Sequence, residues 1–360
     1  MTKQGIKFGF VRPIDDIKEY LEWLRVAEEV ADPDIIGMGD GQDLFIDPYV
    51  TATAIAMRTK RVRVGPTVTN PLTRHPVVTA GAIASVQQLS QGRAFLGMAT
   101  GLTALRNIGL KPATVLELEE YVRSVQGLTA GEAVIWKGQR LKLNWESQRV
   151  PVWVLGAGPK VLQMAGRVAD GVILGGGVAQ PELVQQMLGY IEAGVKQAGR
   201  RMRDLEIWWM VRVVVSPTVE EGIDMMRDYI AGNTLQSYKS PEILASVPRD
   251  VQEKIKILER DYRWDEHVQF NRAADGMTNN ERLLENLGIK RFLADRFMIA
   301  GPPEACVERF KSLMDAGARN FLIPQVVPGR IETTRTLGVK VFPALRAAAA
   351  ARPASEGRAE

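Results

Sequence analysis

At 360 residues the chain is long enough for two ordinary domains or one large α/β barrel. Its 46 Lys and Arg against 42 Asp and Glu leave a formal charge of +4, too small an imbalance for a nucleic-acid protein but suited to an anionic small ligand. One cysteine, Cys306, excludes an internal disulfide, and no apolar run reaches the about 18 residues of a membrane span, so the expectation is a cytoplasmic protein without a membrane partner.

Short β-branched runs alternate with amphipathic stretches along the whole chain. A strand over Lys7 to Val11 leads into a helix over Asp15 to Ala31, and the pattern repeats. Strands follow at Ile35 to Gly39, Val62 to Val68, Ala94 to Thr100, Val150 to Gly156, Gly171 to Gly176, Leu205 to Ser216 and Asn320 to Pro324. Helices are expected at Asp47 to Arg58, Val77 to Leu89, Glu117 to Leu128, Pro159 to Val168, Pro181 to Gln197, Val219 to Ala231 and Pro303 to Ala316. This alternation predicts an α/β protein of the (β/α)8 TIM-barrel class, with an open doubly wound sheet as second choice. A single domain is expected over 1–350, with insertions after strands 4 and 7 at about 102–149 and 232–296 and a fraying tail over 351–360. The first insertion contains a hairpin signal, AVIWKGQRLKL, and the two together carry Trp136, Trp145, Tyr238, Tyr262 and Trp264.

In a parallel barrel the loops after the strands build the site. After the second strand, Asp40 lies between Gly39 and Gly41, either to orient a ligand or as a plain Gly/Asp turn. The third strand runs into GPTVTNPLTRHP, a polar, proline-punctuated loop in which His75 precedes a helix-opening proline and reads as a cap. Thr100 and Gly101 end the fourth strand. Gly156, Ala157 and Gly158 then open a helix with Pro159, and Gly175, Gly176 and Gly177 end the sixth strand. Small residues at a helix start leave free N–H groups able to hold a phosphate, whereas a dinucleotide fingerprint is missing its third glycine. With no HExxH, no GxSxG and two distant histidines, neither a metal site nor a nucleophile is expected, which leaves the chemistry to an organic cofactor.

These segments resemble the bacterial luciferase-like superfamily of flavin and deazaflavin (F420) enzymes. The resemblance is carried by KFGF, by VRVGPTVTNPLTRHPVVTAGAIASVQQLSQGRAFLGMATG, by PVWVLGAGPKVLQMAGRVADGVILGGG and by FMIAGPPEACVERFKSLMDAGARNFLI, in family order. It implies a TIM barrel with a flavin across the strands' C-terminal face, a cis peptide at Thr67–Val68 behind the ring, and phosphate contacts on Gly156 to Gly158 and the loop after the sixth strand. Ring contacts would fall on Thr67, Val68, Asn70, Thr100 and Gly101. Two departures matter: the family's F420 enzymes commonly have Asp-His after the second strand, here Asp40–Gly41, and the reductases have a Glu in the first strand, here Val11. Asp40 and His267, the latter in the second insertion, are therefore the catalytic candidates, although His267 also reads as an exposed helix residue.

The leading expectation is a monooxygenase that takes reduced FMN from a separate flavin reductase and oxygenates a small organic substrate. The alternative is F420-dependent hydride transfer without oxygen, and a reading from another class is a non-catalytic flavin-binding protein. The resemblance also implies a homodimer or higher homo-oligomer, paired through Asp47 to Arg58 or Val77 to Leu89.

Overall fold

Helix starts are written locally in this chain. Asp16 accepts from the amides of Lys18 and Glu19, Asp47 caps the helix that begins at Pro48, and Thr114 and Glu117 form a reciprocal capping box. A computed structural model describes residues 5–14, 16–176, 179–238, 241–245, 247–267, 276–326 and 329–351. The expected tail lies outside these residues apart from Ala351, the last residue of a helix.

The strands in chain order are β1 (Lys7–Val11), β2 (Ile35–Met38), β3 (Arg63–Pro66), β4 (Leu96–Met98), β5 (Val134–Trp136), β6 (Gln139–Leu141), β7 (Val152–Gly156), β8 (Gly171–Leu174), β9 (Glu206–Met210), β10 (Arg212–Val215), β11 (Met298–Gly301) and β12 (Asn320–Pro324). Eight of them form one parallel sheet in the order β3-β2-β1-β12-β9-β8-β7-β4, and bridges Val64↔Ala94 and Thr69↔Met98 join its two ends. The result is the expected TIM barrel. β5 and β6 form the expected hairpin in the first insertion, turning at Lys137 and Gly138, both at positive φ.

Two expectations are corrected. The strand predicted from Leu205 to Ser216 is two strands, because after Val211 the chain leaves the barrel sheet and β10 pairs with β11, a short strand that the sequence reading did not include. EIWWMVRVVV is strand-like throughout, so only the choice of partner marks the exchange. The helix predicted from Val219 to Ala231 likewise breaks after Asp224 and resumes as Arg227–Ser237, running six residues past its expected end at Ala231.

The barrel interior is layered. At the base Glu206 accepts two hydrogen bonds from Arg63, at 2.7 and 2.8 Å, and one from Lys7 at 3.1 Å. Above it Ile35, Phe95, Trp153, Ile173, Trp208 and Leu322 fill the lumen, with Phe95 and Trp153 stacked at 4.3 Å. Val11, Val68, Leu155 and Met210 complete this cluster. The second insertion packs on a cluster of its own that includes Ile230, Leu258, Leu284, Leu293 and Phe297.

Candidate functional site

The mouth of the barrel is built from strand ends. After β2, the carboxylate of Asp40 accepts from Thr69 Oγ1 at 2.6 Å, Arg74 Nη1 at 2.6 Å and Gln42 Nε2 at 2.9 Å, and its side chain is only 2% exposed. Arg74 also reaches Asp47 at 2.7 Å and lies over the ring of Tyr49. Asp40 thus ties the loop after β2 to the loop after β3. The flanking glycines make room for a protein ring, since a Cβ on Gly39 or Gly41 would come within 3.2 Å of Phe45.

After β3 the Thr67–Val68 peptide is cis. The Thr67 amide donates to Met38 O at 2.6 Å and its hydroxyl to Gly65 O at 3.3 Å, while Thr69 N donates to Gly97 O. Val68 lies over Gly97, where a Cβ would be 3.1 Å from Val68 Cγ1 and 2.7 Å from Pro66 O, so only glycine lets these strand ends close up. Asn70 Oδ1 accepts from the amides of Leu72 and Thr73, which leaves its Nδ2 as the donor not engaged by the loop. Gly101, at φ 76°, packs beside Asn70, and the carbonyl of Thr100 accepts from Ala113 N. His75 caps the helix Pro76–Leu89 through Nδ1, as its sequence position suggested.

The glycine-rich ends of β7 and β8 meet, with Gly175 N donating to Gly156 O at 3.0 Å. Gly158 is the N-cap of the helix Pro159–Val168, has no side-chain cap, and presents open space where a Cβ would stand. Its first-turn amides therefore face a gap suited to an anion. Gly176 adopts φ 82° and accepts from Asn233 Nδ2 at 3.0 Å, while Gly177 lies outside the described residues. Ser237 Oγ is buried without a hydrogen-bond partner among the described residues, 3.4 Å from the point a Gly176 Cβ would occupy. A cavity of about 30 Å³ opens beside Ala157, Gly176 and Ser237 and runs out past Met187 and Phe297.

The second insertion reaches this mouth through the helix Arg227–Ser237, whose Asn233 and Ser237 lie four residues apart on one face. Gly232 receives His267, which is half-buried at the end of a 3₁₀ turn and not the exposed helix residue expected as its simpler reading. His267 Nδ1 bonds Tyr262 Oη at 2.8 Å, its Nε2 is buried without a partner among the described residues, and burial together with the Arg106 charge pushes its pKa down. Arg106, from the first insertion, lies 3.8 Å over the Trp264 ring, so the two insertions meet here.

Asp40, Thr67, Val68, Asn70, Thr100 and Gly101 thus gather on one side of the mouth, and Gly156, Ala157, Gly158, Gly175 and Gly176 on the other. Asn233, Ser237 and Arg106 were not singled out from sequence. Their signals were faint: polar residues at helical spacing for the first two, and one arginine in a short helix for the third.

The profile of the family described as luciferase-like monooxygenase matches residues 5–320. A 5,10-methylenetetrahydromethanopterin reductase of Archaeoglobus fulgidus is 26% identical over 354 residues, covering 95% of this chain and 100% of that one. An F420-dependent glucose-6-phosphate dehydrogenase of Microbacterium testaceum is 26% identical over 307 residues, covering 81% of each. The solved coenzyme F420-dependent tetrahydromethanopterin reductase of Methanopyrus kandleri superposes with a TM-score of 0.76 at 20% identity, covering 94% of this chain and 99% of that one. The chain belongs to the luciferase-like monooxygenase family.

Proposed function

We propose that the protein is an F420-dependent oxidoreductase that moves a hydride between the deazaflavin and a small organic substrate. The observation that carries this reading is the kinship with F420-dependent enzymes across four-fifths or more of the chain. It moves F420 ahead of the reduced FMN that the sequence alone put first.

The residues at the mouth fit such a cofactor. The uncapped helix start at Gly158, the open space beside it and the Ser237 hydroxyl, which has no partner among the described residues, suit a phosphate, and Val68, Leu155 and Met210 offer an apolar deck for a planar ring. F420, when bound, supplies a ring carbon able to accept or give a hydride. Thr67, Asn70, Thr100 and Gly101 would edge the ring, with Asn70 Nδ2 as a donor toward it. Asp40 acts at one remove, by fixing the loop that carries Thr69 and Asn70. His267, whose pKa is pushed down by burial and the Arg106 charge, would hold the proton that must leave or join the substrate's oxygen.

A second reading, an FMNH2-dependent monooxygenase served by a separate flavin reductase, is favoured by the family's own description. Anaerobic incubation of the protein with F420 and a panel of secondary alcohols and phosphorylated sugars decides between them. Loss of F420 absorbance supports hydride transfer. No bleaching, together with oxygen uptake when FMNH2 is supplied, would sink it.

We also propose a homodimer through the helices Pro48–Arg58 and Pro76–Leu89, where Val50, Met57, Val78 and Leu89 are 65, 70, 55 and 49% exposed. No described helix is long and apolar enough to cross a membrane.

A further inference from the structure

Along the seventh barrel strand the side chains at 206, 208 and 210 point into the barrel. Glu206 enters the basal ion pairs, Trp208 fills the middle layer, and Met210 packs on the cluster from above. Arg212 is next in this row. Its neighbours Val211 and Val213 belong to the outer apolar core, which leaves Arg212 on the opposite face, toward the mouth and beneath the helix Arg227–Ser237. There the half-buried guanidinium lies 3.8 Å over the ring of Tyr229, and no carboxylate among the described residues pairs with it.

Other arginines near the barrel are treated differently. Arg63 has Glu206 and Arg74 has Asp40 and Asp47. A guanidinium held over a ring with no counter-ion among the described residues keeps N–H donors for whatever anion enters. Arg212 follows Met210 by two residues, past the point where the chain leaves the barrel sheet, and so stands beyond the Met210 deck, on the side from which a molecule resting on that deck would be met.

We propose that Arg212, braced by Tyr229, binds a carboxylate or phosphate group of the substrate, so that the enzyme acts on small organic acids or phosphate esters. The proposal rests on the oxidoreductase reading above. The anion could also come from the cofactor, because β8 and β9 pair as far as Leu174↔Trp209, which leads the two chains side by side toward the glycine-rich end of the cradle. Position in the row over Met210, rather than over Gly158, favours the substrate.

The test titrates inorganic phosphate into the wild-type protein, Arg212→Gln and Arg212→Lys by calorimetry, and F420 into the same three by fluorescence. Wild type takes up one phosphate per chain that the Gln variant does not, the Lys variant binds it more weakly, and F420 affinity stays within about twofold throughout. With any acid that is turned over, Arg212→Gln raises KM by roughly 30-fold or more and changes kcat little, while the matching amide is indifferent to the change. Superposed phosphate isotherms for wild type and Arg212→Gln would overturn the proposal. So would an F420 affinity reduced more than about tenfold by Arg212→Gln, which would assign the guanidinium to the cofactor. If F420 fails to bind wild type, the cofactor reading falls alone and the phosphate comparison still decides the role of Arg212. Matching thermal unfolding of the three proteins controls for folding, and if the Gln variant does not fold, the Lys variant carries the comparison.

Discussion

At the base of the barrel Arg93 donates five hydrogen bonds, to Ser90 O, Thr59 Oγ1, Val62 O, Ala56 O and Thr59 O at 2.6 to 2.9 Å, and Glu206 is gripped by Arg63 and Lys7. At the mouth, by contrast, Ser237 Oγ and His267 Nε2 are buried without partners among the described residues, Gly158 caps its helix with no side chain, and no described carboxylate pairs with Arg212. Both ends carry polar groups in a largely apolar setting; the base satisfies its own, whereas the mouth, outside the Asp40 cluster, leaves several without partners among the described residues. Unmet hydrogen bonding costs stability, and at the C-terminal face of a barrel it marks where a ligand completes the structure.

If the contrast is sound, damage to the base should cost stability and damage to the mouth should cost binding. The largest effect is expected for Arg93→Ala, which strands several carbonyls and a hydroxyl at once: about 4 kcal/mol of unfolding free energy in denaturant titration, with cofactor affinity of the remaining folded protein unchanged. Next comes Gly158→Asp. The side chain has open space and a favourable capping position, so thermal stability should hold or rise slightly, while its carboxylate repels a phosphate and weakens cofactor binding by roughly 100-fold in a fluorescence titration. A loss of stability instead would break the comparison.

Glu206→Gln is smaller, about 2 kcal/mol, because Arg63 and Lys7 keep partial access to water. Burial alone would raise the Glu206 pKa, but Arg63 and then Lys7 outweigh it and hold the carboxyl below its ordinary 4.5. Its contribution is therefore complete above that value and is lost as the pH falls through the lowered folded one, and the variant should lack this acid-side decline in a melting series. The smallest effect belongs to His267. Burial and then Arg106 push its pKa below 6.5, so the unfolded chain binds the proton first and stability declines as the pH drops below that value. His267→Gln should shallow the decline between neutral and mildly acidic pH in the same melting series.

The barrel was legible because strand and helix periods alternate cleanly, and the glycine-rich ends of β7 and β8 were legible because helix-start chemistry is local. The motif LSQGRAFLGMATG reads as one block yet divides between the two ends: Arg93 braces the base, while Gly97 closes up the mouth. Asp40 was found, but its partners Thr69 and Arg74 come from another loop, so its tethering role could not be read from its neighbours. The insertion was least legible. The strand exchange at Val211, the helix break after Asp224 and the seating of His267 on Gly232 depend on contacts between segments far apart in sequence, which no local period records.

The central claim, a mouth prepared for F420, is tested most directly by titrating the purified protein with F420 and with FMN, each oxidised and reduced, under anaerobic conditions. The account predicts saturable F420 binding at low micromolar concentration, with FMN at least about tenfold weaker in either redox state. Tight binding of FMNH2 with no measurable affinity for F420 would contradict it.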